Sequence, residues 1–109
     1  MWNKFARAGL LAGLGLLATA PAQAQVDGPA LYRQHCAKCH GDDGRANNMR
    51  GRLLFAQDLG DAKWQEHTSD AEILAAIRNG ARMMSGYASK LNLEQQQALV
   101  RAVRGLGQP

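Results

Sequence analysis

The segment Cys36-Ala37-Lys38-Cys39-His40 decides how this chain is interpreted. Cysteines three residues apart on a helical turn face the same way, so each thiol is placed to form a thioether with one vinyl group of the same haem. The adjacent His40 then supplies a ring nitrogen to the iron on the proximal side. These five residues therefore favour covalent attachment of one haem c.

Two other sites are compatible with a cysteine pair at this spacing. A zinc site needs two further ligands, but the remaining histidines, His35 and His67, form no His-x3–5-His pair, and there is no second cysteine pair. A thioredoxin-type dithiol follows a strand of a βαβ unit, and no strand pattern precedes Cys36. Haem attachment is therefore favoured over both.

Residues 1–24 are predicted to be a secretory signal peptide. Two basic side chains near the N-terminus precede an uncharged Leu/Ala/Gly stretch at residues 8–18, and small-x-small patterns predict cleavage after Ala22 or Ala24. An uncleaved anchor is the alternative, but the stretch falls short of the ~20 apolar residues that a spanning helix needs. We therefore expect a periplasmic domain of residues 25–109 with no stable membrane span after cleavage.

The mature chain is too short to be stable on ordinary burial alone. About 85 residues remain after cleavage, with eleven basic and nine acidic side chains, which does not favour a nucleic-acid binder. A chain of this length buries only about 60–65% of its unfolded surface. A disulfide between the two cysteines would close a very small loop and constrain little of the unfolded chain. An apolar macrocycle would supply the missing core.

The distribution of caps and apolar positions predicts an all-α domain. One helix is capped at Asp27 and runs into the cysteine segment, a second is capped at Ser69 and ends at Asn79-Gly80, and a third is capped at Asn92. No stretch alternates with a period of two, so no strand is predicted. The intervening stretches, interpreted mostly as loops, are residues 41–63 and 81–91.

Over residues 27–106 the chain resembles the class I c-type cytochromes, particularly the small bacterial monohaem ones. The resemblance implies a cytochrome c fold, with three main helices around one covalently bound haem. It also implies an electron-transfer protein rather than an enzyme, with no catalytic residues. We expect a monomer that meets a redox donor and a redox acceptor transiently. The features that carry the resemblance are Cys36-x-x-Cys39-His40, Asp58-Leu59 with Trp64, Ile77-Arg78-Asn79-Gly80 ahead of a methionine, and a closing amphipathic helix.

The resemblance also implies a methionine as the distal iron ligand, from the loop before the last helix. Met83 and Met84 both lie there. The family pattern is commonly Met-Pro-x-aromatic, which Met84 matches through Tyr87, so Met84 is the expected ligand and Met83 the less favoured one. Ser85 stands at the usual proline position, which predicts a less rigid loop and a more easily displaced Met84.

Other side chains are weaker candidates for the site. His67 would give bis-histidine iron, but its position just before Ser69 predicts an exposed residue at a helix entry. His35 lies beside Cys36 and cannot reach the opposite face of the haem. Met49 is expected to pack, and no proline in residues 41–60 marks the acceptor for the second ring nitrogen of His40. Candidates for a hydrogen bond to a haem propionate are Arg50, Arg52 and Trp64.

The sequence thus predicts an exported monohaem cytochrome that carries one electron, with iron held by His40 and Met84. One alternative is a dedicated cytochrome subunit of a periplasmic dehydrogenase. The other is a haem sensor or peroxidase-like protein with a labile sixth ligand, which the serine at position 85 makes less improbable.

Overall fold

The structure is a computed structural model that describes residues 25–108 together with Gly15. The predicted signal peptide therefore lies, apart from that glycine, outside the described residues. The described chain contains three longer helices, which confirm the three main helices expected, and three short ones. In order they are α1 (Gly28–His35), α2 (Ala37–His40), α3 (Met49–Leu53), α4 (Ala62–His67), α5 (Asp70–Asn79) and α6 (Leu93–Gly105).

The three longer helices begin at the predicted caps. The Asp27 carboxylate accepts a hydrogen bond from the first turn of α1. Ser69 with Glu72, and Asn92 with Gln95, form complete capping boxes in which each side chain bonds the backbone amide of the other residue. Each box satisfies two amide groups that the helix itself cannot pair. Local side-chain chemistry therefore sets where α1, α5 and α6 start.

The helix that carries the cysteines is broken, whereas the sequence predicted a continuous one. α1 ends at His35, and Cys36 separates it from the single turn of α2. The amides of Cys39 and His40 both donate to the Cys36 carbonyl, at 3.2 and 3.0 Å. Gly41, with a φ of +80°, then ends α2 in a conformation that favours glycine.

The stretch predicted mostly as loop contains α3 and the beginning of α4. The Asn48 side chain caps α3 by accepting from the Gly51 amide at 2.6 Å, and Asp61 caps α4 by accepting from the Trp64 amide at 2.9 Å. Both helices have six residues or fewer, which is too short for an apolar periodicity to show. The sequence signals that could have predicted α3 and α4 were their caps, Asn48 and Asp61.

The core forms where α1 and α5 pack against α6. The crossing of α1 and α6 is close, because a Cβ atom on Gly28 would lie 2.5 Å from the Ala98 carbonyl oxygen. Leu99 lies deepest, with 1% of its surface exposed. The buried core cluster consists of Tyr32, Leu59, Ile73, Ile77, Leu91, Leu99, Val100 and Val103.

Polar side chains join α4 to α6. The Gln65 amide nitrogen donates to the carbonyls of Leu59 and Val103, at 2.7 and 2.9 Å. Arg104 donates to the Gln65 carbonyl at 2.7 Å and pairs with Asp70 at 2.7 Å. Because the Asp70 side chain is 72% exposed, the ion pair adds little, and the bonds to carbonyls set the position of α4.

The close crossing of α1 and α6 gives the first prediction. Gly28→Ala should lower the free energy of unfolding by about 1–3 kcal/mol, because the added methyl group overpacks a backbone contact. Gly105→Ala is the matched control, since a Cβ atom there meets nothing within 4 Å. Denaturant unfolding of both haem-loaded variants checks this, and equal stabilities would contradict the crossing geometry.

Candidate haem-binding site

Cys36 and Cys39 lie at the break between α1 and α2 as half-buried, unbridged thiols. Burial, followed by the neighbouring Cys39, raises the pKa of the Cys36 thiol to about 11. A redox-active dithiol needs the opposite, a lowered pKa that yields a thiolate near neutral pH. The environment of Cys36 therefore argues against a thioredoxin-type pair.

The ring of His40 is oriented by a backbone carbonyl. Its Nδ1 atom lies 2.9 Å from the Gln57 carbonyl oxygen. A carbonyl only accepts, so Nδ1 carries the hydrogen, and the lone pair is on Nε2. Burial lowers the pKa of His40, which keeps the ring neutral at neutral pH. A neutral imidazole with one nitrogen hydrogen-bonded and the other free is the state that binds a metal.

The sequence did not identify the acceptor for the second ring nitrogen of His40, and in the structure it is the Gln57 carbonyl. The α3 segment holds it in place by packing against α2. The Asn48 amide group donates to the Cys39 carbonyl at 3.2 Å while its oxygen caps α3. The Ala56 amide then donates to the Gly51 carbonyl at 2.8 Å, which closes the turn that leads to Gln57. The chain after the cysteine segment thus folds back onto it.

Met83 and Met84 occupy different positions in a tight turn, residues 81–84. Ala81 and Met84 exchange both backbone hydrogen bonds, at 3.1 and 2.8 Å. Arg82 has a φ of +52°, and Met83 beside it at the tip is 61% exposed. Met84 is half-buried, at the base of the turn. Met84 is therefore more buried than Met83, which favours Met84 as the residue that faces the protein interior.

Residues 84–88, here called the Met84 segment, are held against the end of α5. The Tyr87 amide donates to the Ile77 carbonyl at 2.8 Å, and the Ala88 amide donates to the Arg78 carbonyl at 3.0 Å. Gly86 makes this approach possible, because a Cβ atom there would lie 2.6 Å from the Asn79 carbonyl carbon. The segment is thus fixed although Ser85 replaces the usual proline.

Several large apolar side chains in and near α3 are exposed. Met49 and Phe55 are each 77% exposed and Leu53 69%, all in or just after α3, and Met83 is 61% exposed. Met49 was expected to pack, and no protein group covers most of it. Exposed apolar side chains concentrated on one short helix are typical of a surface that a ligand or partner covers. With two thiols and a neutral imidazole, the donor set fits haem c.

The structure also gives the positions of the other residues considered for iron or propionate binding. His67 is the last residue of α4 rather than a helix entry, and it is exposed with Nδ1 2.8 Å from the Lys63 carbonyl oxygen. The His35 ring packs edge-on against Tyr87, with ring centroids 5.3 Å apart. Among residues 25–108, no three His, Cys, Asp or Glu side chains are grouped as a metal site. Of the propionate candidates, Arg50 and Arg52 are exposed, and Trp64 packs partly buried against the core.

Comparison with known proteins shows the family of the chain. Residues 23–101 match the family described as cytochrome c oxidase, cbb3-type, subunit III. The chain belongs to this family of c-type cytochromes. The KustC0563 c-type cytochrome has a similar structure, with 44% identity and a TM-score of 0.70 over 76% of this chain and 100% of that one. A tyrosine-to-phenylalanine mutant of that protein gives 41% identity and a TM-score of 0.68, over 74% and 99%. The cytochrome is thus a small class I-like member with the predicted helical fold.

A curated relative is much longer than this cytochrome. The Dihydro-heme d1 dehydrogenase of Pseudomonas aeruginosa is 40% identical over 90 residues, which is 80% of this chain but 17% of that protein. The cytochrome therefore spans less than a fifth of the relative. No helix in the part of the cytochrome that the structure describes has the length and apolar character to cross a membrane.

The double role of Asn48 gives the second prediction. Asn48→Ala should destabilise the haem-loaded cytochrome by about 1–2 kcal/mol, because α3 loses its cap and the Cys39 carbonyl loses a donor. Asn47→Ala is the control, since that exposed side chain only accepts a bond from Arg52 at the surface. Thermal unfolding followed at the haem absorption measures both, and a larger loss in the Asn47 variant would refute the role of Asn48.

Proposed function

We propose that this cytochrome is an exported one-electron carrier with one haem c. Thioethers join the haem to Cys36 and Cys39, and His40 and Met84 are the iron ligands. The observation that carries the proposal is the bond from His40 Nδ1 to the Gln57 carbonyl, which leaves Nε2 free beside two half-buried thiols. That arrangement suits a permanent proximal ligand and does not suit a dithiol.

The residues of the site have separate tasks in this function. When bound, haem c supplies an iron that alternates between the ferric and ferrous states. The two cysteines hold the group without a binding equilibrium, and Gln57 keeps the His40 ring in one tautomer and orientation. A thioether ligand such as that of Met84 raises the reduction potential by favouring the ferrous state. Electron transfer of this kind needs no nucleophile or general base.

The partners of such a carrier are a redox donor and a redox acceptor. Redox encounters use small interfaces that release quickly. After removal of residues 1–24 the protein charge is only +2, from eleven basic and nine acidic side chains, so strong electrostatic steering is not expected. A monomer with transient contacts is consistent with this charge.

Mass spectrometry of the exported protein tests haem attachment and processing together. We expect a chain that begins at Gln23 or Gln25 and carries the added mass of one haem, because the thioethers survive denaturation. A chain that retains Met1 and carries no haem would contradict both the signal peptide and the covalent attachment.

Substitution of each methionine tests the distal ligand. A thioether bound to ferric low-spin haem c gives a weak charge-transfer band near the red edge of the visible spectrum. Met84→Ala should abolish this band, admit carbon monoxide to the ferrous iron and lower the reduction potential, because Met ligation favours the ferrous state. The optical spectrum and a redox titration measure these changes.

Met83→Ala is the matched control, since Met83 is exposed at the tip of the same turn. It should keep the band and change stability only modestly. The reverse pattern would assign the ligand to Met83. A wild-type protein without the band would instead support a sensor with an open sixth position, against which the backbone bonds of the Met84 segment argue.

A second candidate function is that of a dedicated electron acceptor for an exported dehydrogenase. The observation that favours it is the relative named a dehydrogenase, in which a segment like this cytochrome makes up 17% of a longer protein. A separate chain in the same role would bind its enzyme stably. Copurification with one larger redox enzyme at fixed stoichiometry would support this candidate, and its absence would favour the free carrier.

A further inference from the structure

The chain has two tyrosines, and their hydroxyl groups bond the two ends of the cysteine segment. The Tyr32 hydroxyl donates to the Gly41 carbonyl at 2.6 Å, just after the proximal histidine. The Tyr87 hydroxyl donates to the His35 carbonyl at 3.1 Å, just before Cys36. Backbone carbonyls on both sides of Cys36–His40 are thus held by side chains from outside the segment.

The carbonyl that Tyr87 binds is available because the helix breaks. In a continuous helix the His35 carbonyl would accept from the amide of Cys39, four residues on. Here that amide donates to the Cys36 carbonyl instead. The Tyr87 hydroxyl replaces the Cys39 amide as the donor to the His35 carbonyl. Without that donor, the carbonyl would be left unpaired in a half-buried position, which is unfavourable.

Tyr87 also links two other parts of the fold. Its amide donates to the Ile77 carbonyl of α5 at 2.8 Å, and its carbonyl accepts from the Leu91 amide, at 3.0 Å, where the chain approaches α6. Its ring packs edge-on against His35, and the Lys90 ammonium lies 5.5 Å from the ring centre. Tyr87 lies three residues after Met84, so these bonds limit how far Met84 can move.

We propose that the Tyr87 hydroxyl is a positioning group that couples the Met84 segment to the Cys36–His40 segment. This inference rests on the proposed ligation by Met84. The bond to His35 sets the separation of the segments that carry the two iron ligands, so the protein itself resists displacement of the methionine. The hydroxyl bonds a backbone carbonyl rather than a side chain that would bind iron, so it acts through the position of Met84.

Exogenous imidazole tests the coupling, because it competes with the methionine for ferric iron. Tyr87→Phe keeps the ring against His35 and removes only the hydroxyl. The variant should bind imidazole about five- to tenfold more tightly than wild type, the factor that corresponds to a hydrogen bond of about 1–1.4 kcal/mol. Spectral titration of the full haem-loaded protein measures this dissociation constant.

Tyr32→Phe is the matched control. It removes the same kind of hydroxyl-to-carbonyl bond, but at the end of the segment next to His40. It should lower the thermal unfolding temperature, as Tyr87→Phe also should, and leave imidazole affinity within about twofold of wild type, since it loses a bond of similar strength that does not reach Met84.

Three results would overturn the inference, and they are distinguishable. Unchanged imidazole affinity in Tyr87→Phe, with a normal charge-transfer band in wild type, rejects the coupling and leaves the ligand assignment intact. An equal gain in both tyrosine variants shows general loosening rather than positioning. A wild type whose band does not depend on Met84 rejects the proposed ligation and the coupling with it.

Discussion

The hydrogen bond between the His40 ring and the Gln57 carbonyl is the interaction on which the rest of the site depends. It joins residues 17 positions apart, so it exists only if the chain after the cysteines turns back. Asn48 produces that turn by capping α3 with its oxygen and holding the Cys39 carbonyl with its nitrogen. Since burial already disfavours the charged imidazole, the carbonyl also determines which nitrogen stays free.

The stability of the protein depends both on its buried core and on the apolar side chains in and near α3 that the core leaves exposed. The core lies between α1, α5 and α6, and its closest contact is the crossing at Gly28 and Ala98. Met49, Leu53 and Phe55 lie outside it and are largely exposed. A chain this small has little surplus burial to offset such exposure. Haem attachment and stable folding should therefore be linked in this cytochrome.

Much of the fold could be predicted from local chemistry, and much of the site could not. The caps at Asp27, Ser69 and Asn92 were predictable because cap and partner lie within three residues. The cysteines and His40 were predictable as candidates because their spacing alone is specific. The roles of Gln57 and His35 were not, since each acts through a backbone carbonyl, which every residue carries. Distance along the chain hid them further, as the Tyr87–His35 bond spans 52 residues.

The end of α5 explains how the Met84 segment is held without a proline. The last carbonyls of a helix lack partners within it and need donors from elsewhere. The Gly80 amide, where the helix ends, donates to the Ala76 carbonyl. The amides of Tyr87 and Ala88 donate to the next two carbonyls, those of Ile77 and Arg78. A proline would restrict one backbone dihedral locally, whereas these bonds fix the segment to a helix that belongs to the core. The packing of α5 therefore holds the segment in place of a proline, so substitutions in the core around Ile77 should shift the Met84 segment as well as destabilise the fold.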